Sequence, residues 1–465
     1  MPPPAPPSTT PPKRSPVWVL LFLLIPAIGF GALLIKRLQL HRQAKARVAA
    51  IRAASLPISG AEIGTWLPAP PPEKNGALIM TQAFALFRDL ADARSNTVSS
   101  LTNLLSTNRW SAEVREAVRA HLQTNAPALE RIHEGLSFSE FRYPVAYHES
   151  WAALLPHLPK CKQAVSLLGM KAALAAEEGR TNEWPKTVAE QIGVAETLNA
   201  ELLLVSQLVR QASLRLASKT AFWTLSHGPP SPEDCLRLQT AFLRAADTNL
   251  LPQTLVVERA AVLPMFQMNF KDFERFGSSN DGGELQPPME RDLTNQWGGF
   301  LGIVGLADRD KIFYMDTLER AIEHAKLGPP ESLKFRHGLD NASDVAKSRY
   351  YFVTAMFLPA LGKVAVRFGA GQAEARMAGI AFAVERYRHA RGALPHKLAD
   401  LVPEFMPQMP VDPFDGKPLR YIPTETGYRL YSIGDDEMDD GGRVAPKWKK
   451  LNDQNTYDLV FEVER

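Results

Sequence analysis

The chain has 465 residues, 45% of them hydrophobic and 22% charged, the composition of a globular protein with room for two or three domains. Its 53 basic and 50 acidic residues leave a net charge of +3, so the charge balance gives no case for nucleic-acid binding. Two cysteines, Cys161 and Cys235, are too few for a disulfide scaffold or a cysteine-based zinc module; buried thiols are expected, with pairing left open in an oxidising compartment.

Residues 1–15 (MPPPAPPSTTPPKRS) have the Pro-rich, apolar-poor composition of a disordered, extended tail. Pro16 to Ile35 then gives twenty residues without a charge. At about 1.5 Å per residue this crosses a hydrocarbon layer about 30 Å thick, so residues 16–36 are read as a transmembrane helix. No small-residue cleavage site follows, and charges flank both sides, which favours an uncleaved anchor over a signal peptide. Lys13 and Arg14 precede the span, while Lys36, Arg37, Arg42, Lys45 and Arg47 follow it. The positive-inside rule alone would therefore keep the bulk of the chain in the cytoplasm.

Residues 37–77 combine a basic helix, Arg37 to Ala54, with a Pro-rich connector expected to lie extended over a surface. Residues 78–370 read as one large helical domain. Met80, Phe84, Phe87 and Leu90 recur three and four apart, as do Val114, Val118 and Leu122. Thr187 to Leu225 reads as the longest helix. Ser231-Pro232-Glu233-Asp234 is a helix start, with a capping hydroxyl, proline at the first position and acids at the positive dipole end. Further helices fit Thr254 to Phe276, Lys311 to Leu327 and Ala342 to Phe368, and Gly277 to Gly299 is a long polar loop. No strand alternation precedes Tyr421.

No phosphate-binding loop, His-Glu-x-x-His or Gly-x-Ser-x-Gly occurs, so no catalytic residue is assigned and a non-enzymatic protein is expected. His148 and Glu149 sit in a Tyr-rich patch, FRYPVAYHESW, most simply at a surface. Glu258-Arg259 reads as a structural ion pair, and Arg349-Tyr350-Tyr351 as an aromatic packing face with a snorkelling arginine. A cleft joining His148, Glu149 and Glu258 would instead make the helical domain a hydrolase or a small-molecule binder.

The last stretch, residues 371–465, reads as a small α+β module. Met377, Ile380, Ala381, Val384 and Tyr387 form one helical face, with Glu374, Glu385, Arg386 and Arg388 largely outside it. Gly392 is placed for a left-handed cap and Pro395 blocks continuation. Asp412-Pro413-Phe414-Asp415-Gly416 has turn chemistry. Leu419 to Ile422 and Tyr428 to Tyr431 alternate as a hairpin, and Asp458 to Val463 can close it. Between them, Gly434 to Gly442 packs five acids into six positions, a repulsion that a hard cation would relieve.

This order resembles the globular end of the type II secretion major pseudopilin. The resemblance covers about a fifth of the chain. It implies a calcium loop falling on Asp436 and Asp458, with Asp435, Asp439 and Asp440 as further ligands, and a structural role for the ion. It also implies work outside the bacterial inner membrane, with the bulk of the chain periplasmic. The anchor lacks the peptidase site and early glutamate of a pilus subunit, so assembly into a fibre is not implied. The expected whole is a mainly α, membrane-anchored scaffold or interaction protein with a partner in the envelope. An accessory component of a secretion or pilus-like machine is the nearest alternative.

Overall fold

The computed structural model describes residues 16–89, 100–267, 306–443 and 457–464. The tail 1–15, the loop Gly277 to Gly299 and the basic segment holding Lys447, Lys449 and Lys450 lie outside the described residues. The fold is mainly α: among the described residues helices account for 67%, and the strands form one three-stranded antiparallel sheet.

Helix α1 (Pro16–Ala53) runs unbroken through the expected span and the basic segment after it. Its Leu24, Ile28, Phe30, Leu33, Ile35 and Leu38 are each half exposed or more. Its far end docks: Ala44 and Ile51 are buried, and Ile51 meets Leu263 and Met315. The Pro-rich connector is not simply extended, because Ser59 caps a helix, α2 (Gly60–Trp66), by accepting from Glu62 N. Ile63 of that helix is fully buried beside Tyr147, Val257 and Ala260.

The body then runs α3 (Gly76–Ala85), α4 (Leu101–Leu104), α5 (Ala112–Thr124), α6 (Ala126–Gly135), α7 (His157–Glu177), α8 (Trp184–Glu196), α9 (Leu204–His227), α10 (Pro232–Asp247), α11 (Leu251–Val262), α12 (Leu306–Lys326), α13 (Glu331–Ser348) and α14 (Phe352–Arg391). Ser231 Oγ accepts from Asp234 N at 3.1 Å with Pro232 at the first position, the start read from sequence. The single helix expected over Thr187 to Leu225 is instead two, α8 and α9. Gln207 Nε2 donates to the carbonyls of Leu198 and Glu201, and Arg210 Nε to Asn199 Oδ1, so side chains of α9 hold the break between them. The helix expected over Thr254 to Phe276 is α11, followed by a 3-10 turn Leu263–Gln267; beyond that it lies outside the described residues. The helix expected over Ala342 to Phe368 is likewise two, α13 and α14.

Helix α14 is the axis of the molecule. It is covered by α10, α13, α9 and the sheet, and its small residues, among them Ala373, Ala375, Ala378, Ala381 and Ala383, are buried on every side. At Gly371 a Cβ would meet Gln211 Oε1 at 2.2 Å, so a larger residue there would have to displace the Gln211 side chain of α9. The expected boundary at 370/371 therefore falls inside one helix, and a single apolar cluster runs from Leu101 to Val463. Glu374 and Glu385, expected outside the apolar face, are 3% and 0% exposed. Arg215 grips Glu374 with two hydrogen bonds of 2.7 and 2.8 Å, and Tyr428 OH donates to Glu385 Oε1 at 3.0 Å. The start of α14 is capped by another helix: the carboxylate of Asp310 in α12 accepts from Val353 N, Thr354 N and Thr354 Oγ1.

Gly392 ends α14 with φ of 70°, donating to Arg388 O, as its position in the sequence implies. Strands β1 (Arg420–Pro423), β2 (Gly427–Ser432) and β3 (Leu459–Glu464) pair antiparallel in that order, with Tyr421 opposite Leu430 and Leu430 opposite Phe461. Phe461 stacks on Phe222 of α9 at 4.3 Å, which fastens the closing strand to the body.

Candidate functional site

The acidic loop stands on a turn whose centre is Asp412, a fully buried carboxylate. Asp412 Oδ1 accepts from Phe414 N at 3.0 Å and Ser432 Oγ at 2.9 Å, while Oδ2 accepts from Ile433 N at 3.0 Å and Arg420 Nη1 at 2.6 Å. Pro413 presets the turn and Gly416 takes φ of 74°, so the Asp-Pro-Phe-Asp-Gly run folds back locally. Burial pushes the Asp412 carboxyl up, and its four hydrogen-bond partners oppose that shift. Arg420 also reaches Asp415 and, at 3.5 Å, Asp439. Desolvation works against its charge, yet Asp415, Asp412 and Asp439 outweigh it and hold the guanidinium above its usual range.

Residues 434–442 are tied down from both ends. Asp436 Oδ1 accepts from Met438 N and Asp439 Oδ1 from Gly441 N, two side-chain-closed turns. Asp458, just before β3, accepts from Gly442 N at 2.7 Å and Asp440 N at 3.4 Å and so latches the loop to the sheet. Gly442 presents that N–H because its φ of 76° turns the backbone inward. Arg336 of α13 donates to Asp435 O at 2.7 Å and Glu437 Oε1 at 2.9 Å. Burial raises the Asp436 carboxyl, with Asp435 and Asp440 adding to the effect against the Met438 hydrogen bond. Asp458 is raised by burial too, opposed by its two backbone donors and reinforced by Asp439 and Asp440.

The five candidate ligands thus separate. Asp439 faces Arg420, Asp435 engages Arg336 through its carbonyl, and Asp458 is a latch. Asp436 Oδ2 and Asp440 Oδ2 are buried without a hydrogen-bond partner, the chemistry that fits a hard cation. Among the described residues no three His, Cys, Asp or Glu side chains stand together at metal-holding distance, so backbone carbonyls would have to complete a shell. Arg420 and Arg336 were not legible as parts of this loop; the only signal was Asp415 placed five residues before Arg420.

The other candidates do not converge. His148 and Glu149 are exposed on a 3-10 turn, Tyr147–Ala152. Arg259, fully buried, pairs with Glu319 rather than with its neighbour Glu258, because successive helix residues face apart. Burial pushes Glu258 up to about 7. Tyr351 is buried against Phe313, but Tyr350 is 79% exposed, so the expected aromatic face is only half formed. A groove of about 1260 Å³ between Pro68, Phe138 and α8 includes none of His148, Glu149 and Glu258.

One constellation was missed. His157 Nε2 meets Glu201 Oε2 at 2.9 Å, and Ser206 Oγ donates to the same carboxylate. Tyr143 stacks on the imidazole at 4.3 Å and takes a weak hydrogen bond from Cys161 Sγ at 3.7 Å. The serine bonds the acid rather than the histidine, and all five side chains are at most 6% exposed. That order activates no nucleophile; it satisfies buried polar groups. Cys161 and Cys235 are both buried, and no disulfide joins them.

No family model matches the chain, and no curated protein or solved structure matches it.

Proposed function

We propose that the chain is a single-pass protein of the bacterial inner membrane, a non-enzymatic scaffold or interaction protein whose body stands on the periplasmic side. The division of α1 carries this reading. Leu24, Ile28, Phe30, Leu33, Leu34, Ile35 and Leu38 are 43–63% exposed, while Ala44 and Ile51 are buried where the helix docks. An apolar helical stretch without protein around it is costly in water and stable in lipid, where a helix satisfies its own backbone. Among the described residues α14 alone is long and apolar enough to cross a membrane by length and composition. It is wrapped by three helices and the sheet, so it is read as the core of the body.

The C-terminal unit supports the address. A buried helix, a Gly-x-x-Pro stop, the Asp412 turn, a three-stranded antiparallel sheet and a latched acidic loop follow in the order that the pseudopilin resemblance implies. In the same reading Asp436 and Asp440 would hold a calcium ion with Asp458 fixing the loop around it, a structural part. Two measurements test the proposal. Alkaline carbonate should leave the full chain in the membrane pellet, and release into the supernatant sinks the anchor. A reporter fused after Arg465 should be active only if exported; a cytoplasm-only signal overturns the sidedness.

A further inference from the structure

Helix directions define the end of the body nearest the apolar half of α1. His41 pairs with Asp308 and Arg47 with Asp316, so α1 and α12 run parallel and the start of α12 points toward the span. Short links make α13 antiparallel to α12 and return α14 parallel to it. Asp310, two residues after Asp308, caps α14, which places the link 349–351 at that same end.

On this end Lys36, Arg37, Arg42 and Arg349 are exposed and carry no ion pair among the described residues. Three acids described at this end are engaged: Asp308 by His41, Asp310 by the helix start, Asp344 by Lys347. On the same end Tyr350, next to Arg349 in the chain, is 79% exposed at a φ of 57°, while its neighbour Tyr351 is buried. Along a helix at about 1.5 Å per residue, Arg42 lies about 10 Å beyond Ile35, just past a headgroup layer about 5–8 Å deep and within reach of a long basic side chain. A tyrosine beside arginines at that depth has the chemistry of an interfacial anchor.

We propose that this end of the body is a footing on anionic phospholipid: Lys36, Arg37, Arg42 and Arg349 hold headgroup phosphates while the Tyr350 ring enters the interface beside them. The inference rests on α1 spanning the membrane. It adds a second, lipid-selective contact that fixes how the body stands on the bilayer.

The test uses the full chain with Tyr350→Cys carrying a fluorescent label; Cys161 and Cys235 are fully buried and stay unlabelled. The protein is reconstituted into phosphatidylcholine vesicles with and without phosphatidylglycerol. Quenching is read with neutral aqueous acrylamide and with headgroup-level spin-labelled lipid. With phosphatidylglycerol, the lipid quencher should reach the label and acrylamide should be largely excluded. Adding Lys36→Gln, Arg37→Gln, Arg42→Gln and Arg349→Gln should reverse this by about five-fold per charge near an anionic surface. Carbonate extraction of the same vesicles separates the failures. Release of the protein sinks both the anchor and the footing. A retained protein whose label is equally open to acrylamide in both lipid mixtures sinks the footing alone, as does protection that ignores lipid charge.

Discussion

Replacing Asp412 tests the claim that one buried carboxylate organises the turn beneath the acidic loop. Its two oxygens take four hydrogen bonds, two of them from the backbone N–H groups of Phe414 and Ile433. Asp412→Ala leaves both amides and Arg420 Nη1 without that acceptor in a site closed to water. At about 1–3 kcal/mol for each buried unsatisfied group, partly relieved because Arg420 keeps Asp415, the loss should be about 4 kcal/mol. Asp412→Asn should not rescue it. Oδ1 and Oδ2 each face a backbone donor, so the amide NH2 must oppose one of them whichever way it turns, and about 2 kcal/mol should still go. Urea unfolding of the detergent-solubilised full chain reads the size of the loss, and hydrogen exchange reads its place, at residues 411–434. A change below about 1 kcal/mol for both variants, or faster exchange spread evenly over the body, would refute the reasoning.

Asp310→Ala should cost about 2–3 kcal/mol and speed exchange in the first turn of α14, since it orphans the amides of Val353 and Thr354; unchanged exchange there would show the cap is idle. Arg215→Met should destabilise by about 3–5 kcal/mol by leaving Glu374 buried without its cation, whereas Arg215→Met with Glu374→Met should recover most of it; a double-mutant cycle gives the coupling. Folded Glu258 titrates at about 7 and Asp310 at about 6, both raised by burial, so the native state binds more protons than the unfolded chain between their ordinary values and these. Unfolding free energy should therefore fall from pH 5 to pH 8, and Glu258→Gln should flatten that slope; a slope that survives the substitution unchanged would assign it elsewhere. Calcium at about 100-fold over its dissociation constant should stabilise the chain by about 2–3 kcal/mol and chelation should reverse it, with Asp436→Asn and Asp440→Asn both abolishing the effect; magnesium serving equally well would contradict an ion bound by loop geometry.

What was legible in the sequence is what a few neighbouring residues decide. The Ser231 cap, the Gly392 stop, the Asp412 turn and the strand pairing each depend on residues within a turn or a hairpin of one another. The failures are long-range. Glu374 looked exposed because Arg215 is 159 residues away, and Asp310 caps a helix that begins 42 residues later. The break between α8 and α9 carries no glycine or proline; its carbonyls are held by Gln207 and its Asn199 side chain by Arg210, both from the helix that follows. In the acidic loop the charges were visible but their division was not. Arg336 and Arg420 arrive from a body helix and a strand and claim Glu437 and Asp439, leaving Asp436 and Asp440 to face each other.

The boundary that composition placed at residue 370 fails for a reason that bears on what the C-terminal unit is. A module appended by a linker keeps a core of its own and a polar face toward its neighbour. Here the helix that should begin that module is already nineteen residues long at the boundary, counting from Phe352 to Ala370. Beyond it, Ala373, Met377 and Ile380 are buried against body helices as well as against the sheet. Glu374 has its cation on α9, Gln239 of α10 donates to Phe405 O, and Arg376 reaches Asp247. Detached, the unit would expose an apolar helix face and leave Glu374 without its cation, so it is built into the body rather than appended to it. The loop is thus held to α13 through Arg336, and α13 belongs to the same packed framework of helices on which α1 docks through α12.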